Sequence, residues 1–265
     1  TTAMTFQVTL SDGVSSGFTV GYGPQDGTAT VADNDYEGPP AASLRLGAFN
    51  ATRGGVFSLS DGSSATEMRS VILSRFSGAT ITGTSTLTPE FLANLDAVWL
   101  NSVFDNTTPI SPLTTAEQTA LLDFVRAGGR AMIFGENSFF NDESLLSPFG
   151  ATTTDTLIGL HPGTISNTTH VLTNGPFGVV TMLQGNYPGN LTTLPPNALS
   201  LGTWTSSGKT SVAVLDPGAL GVGSGLVVLL SDVNFYGDQF GTADNPKLML
   251  NALSALSTPP PQLTF

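Results

Sequence analysis

The chain opens on a strict apolar alternation. Phe6, Val8 and Leu10, and later Phe18, Val20 and Tyr22, occupy every second position, with Ser11-Asp12-Gly13 and Gly23-Pro24-Gln25-Asp26-Gly27 as turn chemistry. That period predicts two or three antiparallel strands between Thr5 and Val31. Glu37-Gly38-Pro39-Pro40 then ends regular structure, because proline lacks a backbone donor and stiffens the chain. A boundary is expected near residue 40.

Beyond it the pattern changes to short apolar runs alternating with segments of helical period. A strand is predicted from Ser43 to Phe49. An amphipathic helix follows from Ala65 to Phe76, with Met68, Val71, Ile72 and Phe76 on one side. Asp96 to Leu100 reads as a strand. Leu113 to Ala127 reads as a helix with Thr114 or Thr115 as N-cap, Glu117 in its first turn and Gly128-Gly129 as its stop. Further strands are predicted at Arg130 to Gly135, Ser211 to Leu215 and Leu226 to Ser231, before a last helix from Pro246 to Leu256. Repeated βα alternation with nearly continuous apolar strands predicts an α/β fold, its sheet mainly parallel and covered by helices on both faces. Between Asn137 and Lys209, Gly, Pro, Thr and Asn interrupt every apolar piece, which predicts irregular loops with an antiparallel extension. Three segments result: a β-strand arm with its linker over 1–40, the α/β domain over 41–257, and an extended Pro-rich tail over 258–265.

Composition narrows the partners. Of 265 residues, 40% are hydrophobic and 11% charged, which is the balance of a folded chain. Twenty acidic against eight basic side chains give a formal charge of −12, so no electrostatic footprint exists for nucleic acid or an anionic membrane surface. No apolar run approaches the ~20 residues that span a bilayer. Without cysteine there are no disulfides, thiolate metal sites or thiol nucleophiles. Lysine occurs only at Lys209 and Lys247, and Thr, Ser, Asn and Gly solvate the surface, a composition that points to an extracellular or cell-surface location.

Two family resemblances follow from particular residues. Thr5-Phe-Gln-Val-Thr-Leu-Ser11, Phe18-Thr-Val-Gly-Tyr22, Asp26-Gly-Thr-Ala-Thr30 and Asp33-Asn-Asp-Tyr36 resemble part of a Calx-beta domain. The resemblance implies a partial β-sandwich over residues 5–36 and makes Asp35, with Asp33, a candidate calcium ligand; no other cofactor is expected. The segment from Ser43 to Leu256 resembles class I glutamine amidotransferase-like domains of the non-catalytic kind. The residues that carry it are Leu113-Thr-Thr-Ala-Glu-Gln118, Leu121-Leu-Asp-Phe-Val-Arg-Ala-Gly-Gly129, Ile133-Phe-Gly-Glu136, His161-Pro162, Val227-Val-Leu-Leu-Ser-Asp232 and Asp244-Asn245. This implies a doubly wound, flavodoxin- or amidotransferase-like sheet. In catalytic relatives a cysteine occupies the turn where this chain has Glu136, so amidotransferase activity is not expected.

Other candidate chemistry rests on residue types. Ser138 with His161 or His170 and Asp232 supplies the members of a serine triad, without a G-x-S-x-G elbow. Glu136, Asp142, Glu143, Asp232 and Asp238 are placed to gather at the carboxyl edge of the sheet, where open α/β folds bind ligands. The glycine-rich Gly218 to Gly225 lacks the Lys-Ser/Thr of a phosphate loop and precedes a strand, which predicts a tight hairpin. Sequons stand at Asn50, Asn106, Asn167 and Asn190. These readings lead to an extracellular, non-catalytic structural or adhesive protein that self-associates, filaments included, through its β-strand arm. The competing expectations are a secreted hydrolase of glycans or peptides using carboxylates near Glu136, and a carbohydrate- or calcium-binding module.

Overall fold

The structure, a computed structural model, describes residues 44–140 and 143–257. The arm, the tail, the Calx-beta resemblance and the candidate ligands Asp33 and Asp35 lie outside the described residues.

Among the described residues eleven strands form the main sheet: β1 Arg45–Phe49, β2 Thr80–Thr84, β3 Ala97–Asn101, β4 Arg130–Phe134, β5 Thr152–Thr154, β6 Leu160–Ile165, β7 Met182–Asn186, β8 Asn190–Thr193, β9 Leu199–Trp204, β10 Thr210–Leu215 and β11 Val227–Leu230. The order is β7-β6-β9-β10-β11-β4-β3-β1-β2, with β8 pairing β10 and β5 off that path. The five strands from β11 to β2 are parallel, and those from β7 to β11 pair antiparallel. The mainly parallel α/β centre is therefore as the apolar runs predict, and the antiparallel extension occupies one whole flank of the sheet.

Three longer helices cover the two faces: α1 Thr66–Arg75, α2 Thr115–Arg126 and α3 Asn245–Ser257. Side chains alternate across a strand, so β3, β4 and β11, buried throughout, feed two cores at once. Trp99, Met132, Phe134, Val228 and Leu230 pack with Met68 and Ile72 of α1 and Leu248, Met249 and Leu253 of α3. Val98, Leu100, Ile133, Val227 and Leu229 pack on the opposite face with Leu121 and Val125 of α2. Each large apolar side chain so buried stabilises the fold by roughly 1.5–3 kcal/mol, which is why these strands read as unbroken apolar runs.

Local signals set the helix ends. Thr114 caps α2 as a reciprocal capping box: its Oγ1 accepts Glu117 N–H at 3.3 Å, and Glu117 Oε2 accepts Thr114 N–H at 2.9 Å. Past its C-terminus Gly128 takes φ +99°, a conformation open to glycine, and turns the chain into β4. The 218–225 segment lies in the connection of the antiparallel pair β10 and β11, with positive φ at Gly218, Gly221 and Gly223; the hairpin is as expected, but its loop over 216–226 is long where the composition predicts a tight turn.

Candidate functional site

Side chains after the parallel strands converge on a cleft of about 510 Å³ at the carboxyl edge of the sheet. Phe57 enters it from the segment after β1, and Val103 and Asn106 from the segment after β3. Glu136, Asn137 and Phe139 follow β4, Val233, Asn234 and Asp238 follow β11, and Asn186 with Tyr187 closes β7. The chain turns outward in opposite directions from β1, toward β2 and toward β3, so this is the crevice where an open α/β sheet exposes loops from both halves.

Beneath the cleft lies a carboxyl pair. Asp232 is fully buried and hydrogen-bonds side chain to side chain with Glu136, which is 2% exposed. Such a contact needs one proton between the two groups, and burial pushes Asp232 up to about 7 against the opposing effect of its hydrogen bonds. Asp232 Oδ1 accepts Asn234 N–H at 2.7 Å and Oδ2 accepts Asn186 N–H at 2.7 Å. Glu136 Oε1 accepts Asn137 N–H at 3.1 Å and its amide Nδ2 at 3.2 Å, while Oε2 accepts Val233 N–H at 3.2 Å. Asn137 Nδ2 also donates to Tyr187 O at 2.8 Å. The two carboxyls thus fasten the segments after β4, β7 and β11 to one another. Gly185 allows the approach, since a Cβ there would lie 2.5 Å from Asp232 Oδ2.

No protein-family model matches the chain, and no curated protein matches it by sequence. Solved structures do match in shape. The N-terminal domain of mmIFT52 aligns with a TM-score of 0.61 at 17% identity, over 83% of this chain and 100% of that one. A ThuA-like protein from Bacteroides uniformis aligns at 0.54 and 13% identity, over 83% and 93% of the two chains. A GMP synthase component from Thermoplasma acidophilum aligns at 0.54 and 8% identity, over 81% and 94%. The described domain has a class I glutamine amidotransferase-like fold. At these identities the likeness is one of architecture.

Within the amidotransferase-like fold, Glu136 stands directly after β4, at the turn where the resemblance places a nucleophile. It does not form a strained elbow: among the described non-glycine residues positive φ occurs at Asp155, Tyr187 and Ala243. Its carboxylate is buried and engaged by backbone donors.

The structure brings Glu136 and Asp232 together and separates the remaining triad candidates. Ser138 is exposed and its Oγ pairs with Thr156 Oγ1 at 3.0 Å. His161 pairs through Nδ1 with Ser206 Oγ at 2.9 Å and donates from Nε2 to Ile158 O at 3.1 Å. His170 pairs through Nε2 with Asp216 Oδ1 at 3.0 Å, and its Nδ1 accepts Leu172 N–H at 3.2 Å. The serine triad is therefore not assembled, because each histidine is held by neighbours of its own and Asp232 is occupied by backbone groups. Of the other carboxylates, Asp238 is exposed on the cleft, Glu143 is exposed at the start of the Glu143–Leu146 turn, and Asp142 lies outside the described residues. Among the described residues no three of His, Asp and Glu converge as metal ligands, and no helix is long and apolar enough to cross a membrane. The sequon at Asn190 is buried, with Asn190 Oδ1 accepting the Ser207 hydroxyl at 2.8 Å.

Reading the sequence missed Asn106, Phe139, Asn186 and Tyr187. They come from three separate loops, and neutral amides and aromatics in loops have no spacing that marks them as a site. The one local signal is Tyr187-Pro188-Gly189, turn chemistry around an aromatic.

Proposed function

We propose that the domain is a non-catalytic recognition unit of an extracellular structural or adhesive protein, with the carboxyl-edge cleft as its recognition surface. The observation that carries this reading is the Glu136–Asp232 pair, whose oxygens accept the backbone N–H groups of Asn137, Val233, Asn186 and Asn234. A general acid or nucleophile must reach the substrate, whereas these carboxyls hold loops in place. The lysine-poor, strongly acidic composition supports the extracellular part. Self-association through residues 5–31 belongs to the same proposal, because a few alternating strands cannot bury their apolar face between themselves.

The test is incubation of the purified protein with neutral polysaccharides and with unfolded casein, followed by assays for new reducing ends and new amines. Neither should accumulate. Turnover that disappears in a folded Glu136→Gln variant would make the pair catalytic and overturn the proposal.

A further inference from the structure

We infer that the carboxyl-edge cleft binds a neutral oligosaccharide, hydrogen-bonded by Asn106, Asn186, Asn234 and Asp238 and stacked on Tyr187 and Phe139. This rests on the reading of the cleft as a recognition surface and names its ligand.

The polar groups suit sugar hydroxyls. Asn186 uses its backbone N–H and C=O on Asp232 and Asn234, while its side-chain amide makes no hydrogen bond among the described residues. Asn234 donates Nδ2 to Asn186 O at 3.0 Å and keeps Oδ1 for a ligand. Asn106 and Asp238 are exposed at the cleft wall. A hydroxyl both donates and accepts, and a primary amide offers a donor and an acceptor side by side, so adjacent hydroxyls on a ring match it.

The apolar groups suit the C–H faces of the same rings. Phe139 is 76% exposed and Tyr187 50%, an arrangement that leaves aromatic surface in water unless a ligand covers it. Tyr187 is also fixed in place. It holds φ +55°, its N–H donates to Gly159 O at 2.8 Å, and its carbonyl accepts Asn137 Nδ2 at 2.8 Å. The backbone from which the ring projects into the cleft is thus clamped on both sides.

Charge and size exclude the main competitors. Among the described residues no Lys, Arg or His lines the cleft, and Glu136 and Asp238 do, so phosphorylated or acidic ligands meet repulsion. A quaternary ammonium needs aromatic faces on several sides. Here Phe57 and Phe140 are 2% and 7% exposed, which leaves two rings, and the Glu136 carboxylate is already engaged. The volume of about 510 Å³ falls within the range of small-molecule sites and accommodates more than one pyranose ring.

Isothermal titration calorimetry of the full chain against cello-, malto-, manno-, xylo- and chitin tetrasaccharides, with glucose 6-phosphate and choline alongside, tests the inference. At least one neutral tetrasaccharide should bind. Tyr187→Ala and Asn186→Ala should each weaken it about tenfold, and Tyr187→Phe should retain it because the ring remains. Thermal melting of each variant verifies the fold. Absence of binding to every neutral tetrasaccharide, tighter binding of choline or glucose 6-phosphate, or undiminished binding by both alanine variants would overturn the inference and leave the non-catalytic reading standing. Release of reducing ends from a bound tetrasaccharide would do the reverse.

Discussion

Asp232 Oδ2 accepts the backbone N–H of Asn186 at 2.7 Å, although 46 residues of chain separate them. The contact is one of a series along β7, the last strand on its side of the sheet among the described residues. The N–H groups of Met182, Gln184 and Asn186 that face away from β6 are taken by Asp244 Oδ2 at 3.2 Å, Asn245 Oδ1 at 3.1 Å and Asp232 Oδ2. Their carbonyls accept from Asp244 N at 3.0 Å, Asn245 Nδ2 at 2.8 Å and Asn234 Nδ2 at 3.0 Å. Residues 232–245 therefore stand where a further strand would pair, and they close an edge that would otherwise recruit another chain.

Replacing Asn245 by alanine removes both bonds to Gln184 and the donor to Gln239 O, 2.8 Å away. Unmade hydrogen bonds at a buried residue cost about 1–3 kcal/mol. Urea unfolding should show a loss of about 2 kcal/mol, and hydrogen exchange should accelerate at Gln184 more than in β4. Unchanged exchange at Gln184 would mean that water or a neighbour replaces the amide without loss.

The parallel centre was legible because burial on both faces leaves a run such as Ala131-Met-Ile-Phe134 with no polar position, and because Thr114 and Gly128 mark their helix ends chemically. The antiparallel flank was less so. β9 alternates poorly, with register shifts at Ser200/Gly202 and Gly202/Thr203, and β8 shifts between Leu191 and Thr193, so no steady period of two survives in their sequences. Glu136 and Asp232 could be placed at the same sheet edge from their positions after two apolar strands. That they touch follows from β4 and β11 being neighbours, a pairing that bridges 97 residues of chain between Val233 and Glu136 and leaves no local trace.

A buried ion pair ties the segment after β1 to the start of α2. Arg53 is paired with Glu117 and reaches Ser85 O at 2.9 Å, and its guanidinium lies 4.6 Å from the Phe49 ring centroid. Glu117 also accepts Leu87 N–H at 3.1 Å. Arg53→Ala leaves a desolvated carboxylate and should cost about 3–5 kcal/mol. Arg53→Lys should recover little, because an ammonium cannot serve the carboxylate and several carbonyls in one plane. A double-mutant cycle with Glu117→Ala that returned no coupling in the unfolding free energy would refute the pairing.

Gly185→Ala tests the packing above Asp232. The added Cβ would lie 2.5 Å from both Asp232 Oδ2 and the Trp204 ring. The indole has no room to yield, since its Nε1 donates to Gly189 O at 2.8 Å and to Ser231 Oγ at 3.0 Å. Overpacking of this kind costs typically about 1–3 kcal/mol. The variant should melt lower and show an altered near-UV tryptophan signal, and a wild-type melting temperature would show that β7 can shift freely.

The carboxyl pair also sets how stability varies with pH. Asp232 is raised to about 7 in the folded protein, whereas an unfolded aspartate titrates near its ordinary value of about 4. Between those limits the native state binds a proton that the unfolded chain has released, so this contribution is complete below about pH 4 and disappears as pH rises through about 7. Glu117 and Asp244 work in the opposite sense. Hydrogen bonds from Arg53 and Thr114, and from Lys247 and Thr181, outweigh burial and hold both at about 2, so their contributions are complete above the ordinary carboxylate range and are lost as pH falls toward 2. The unfolding free energy should therefore peak near pH 4–5 and decline on both sides. Asp232→Asn keeps the side-chain size and cannot titrate. It should lower stability at pH 5 by about 1–3 kcal/mol, because its amide cannot accept both Asn186 and Asn234 N–H groups, and it should flatten the decline from pH 5 to 8. Glu117→Gln should flatten the acid side alone. Urea titrations from pH 3 to 8 on the three proteins measure all of this, and a wild-type stability that rose steadily from pH 5 to 8 would show that Asp232 and Glu136 do not share a buried proton.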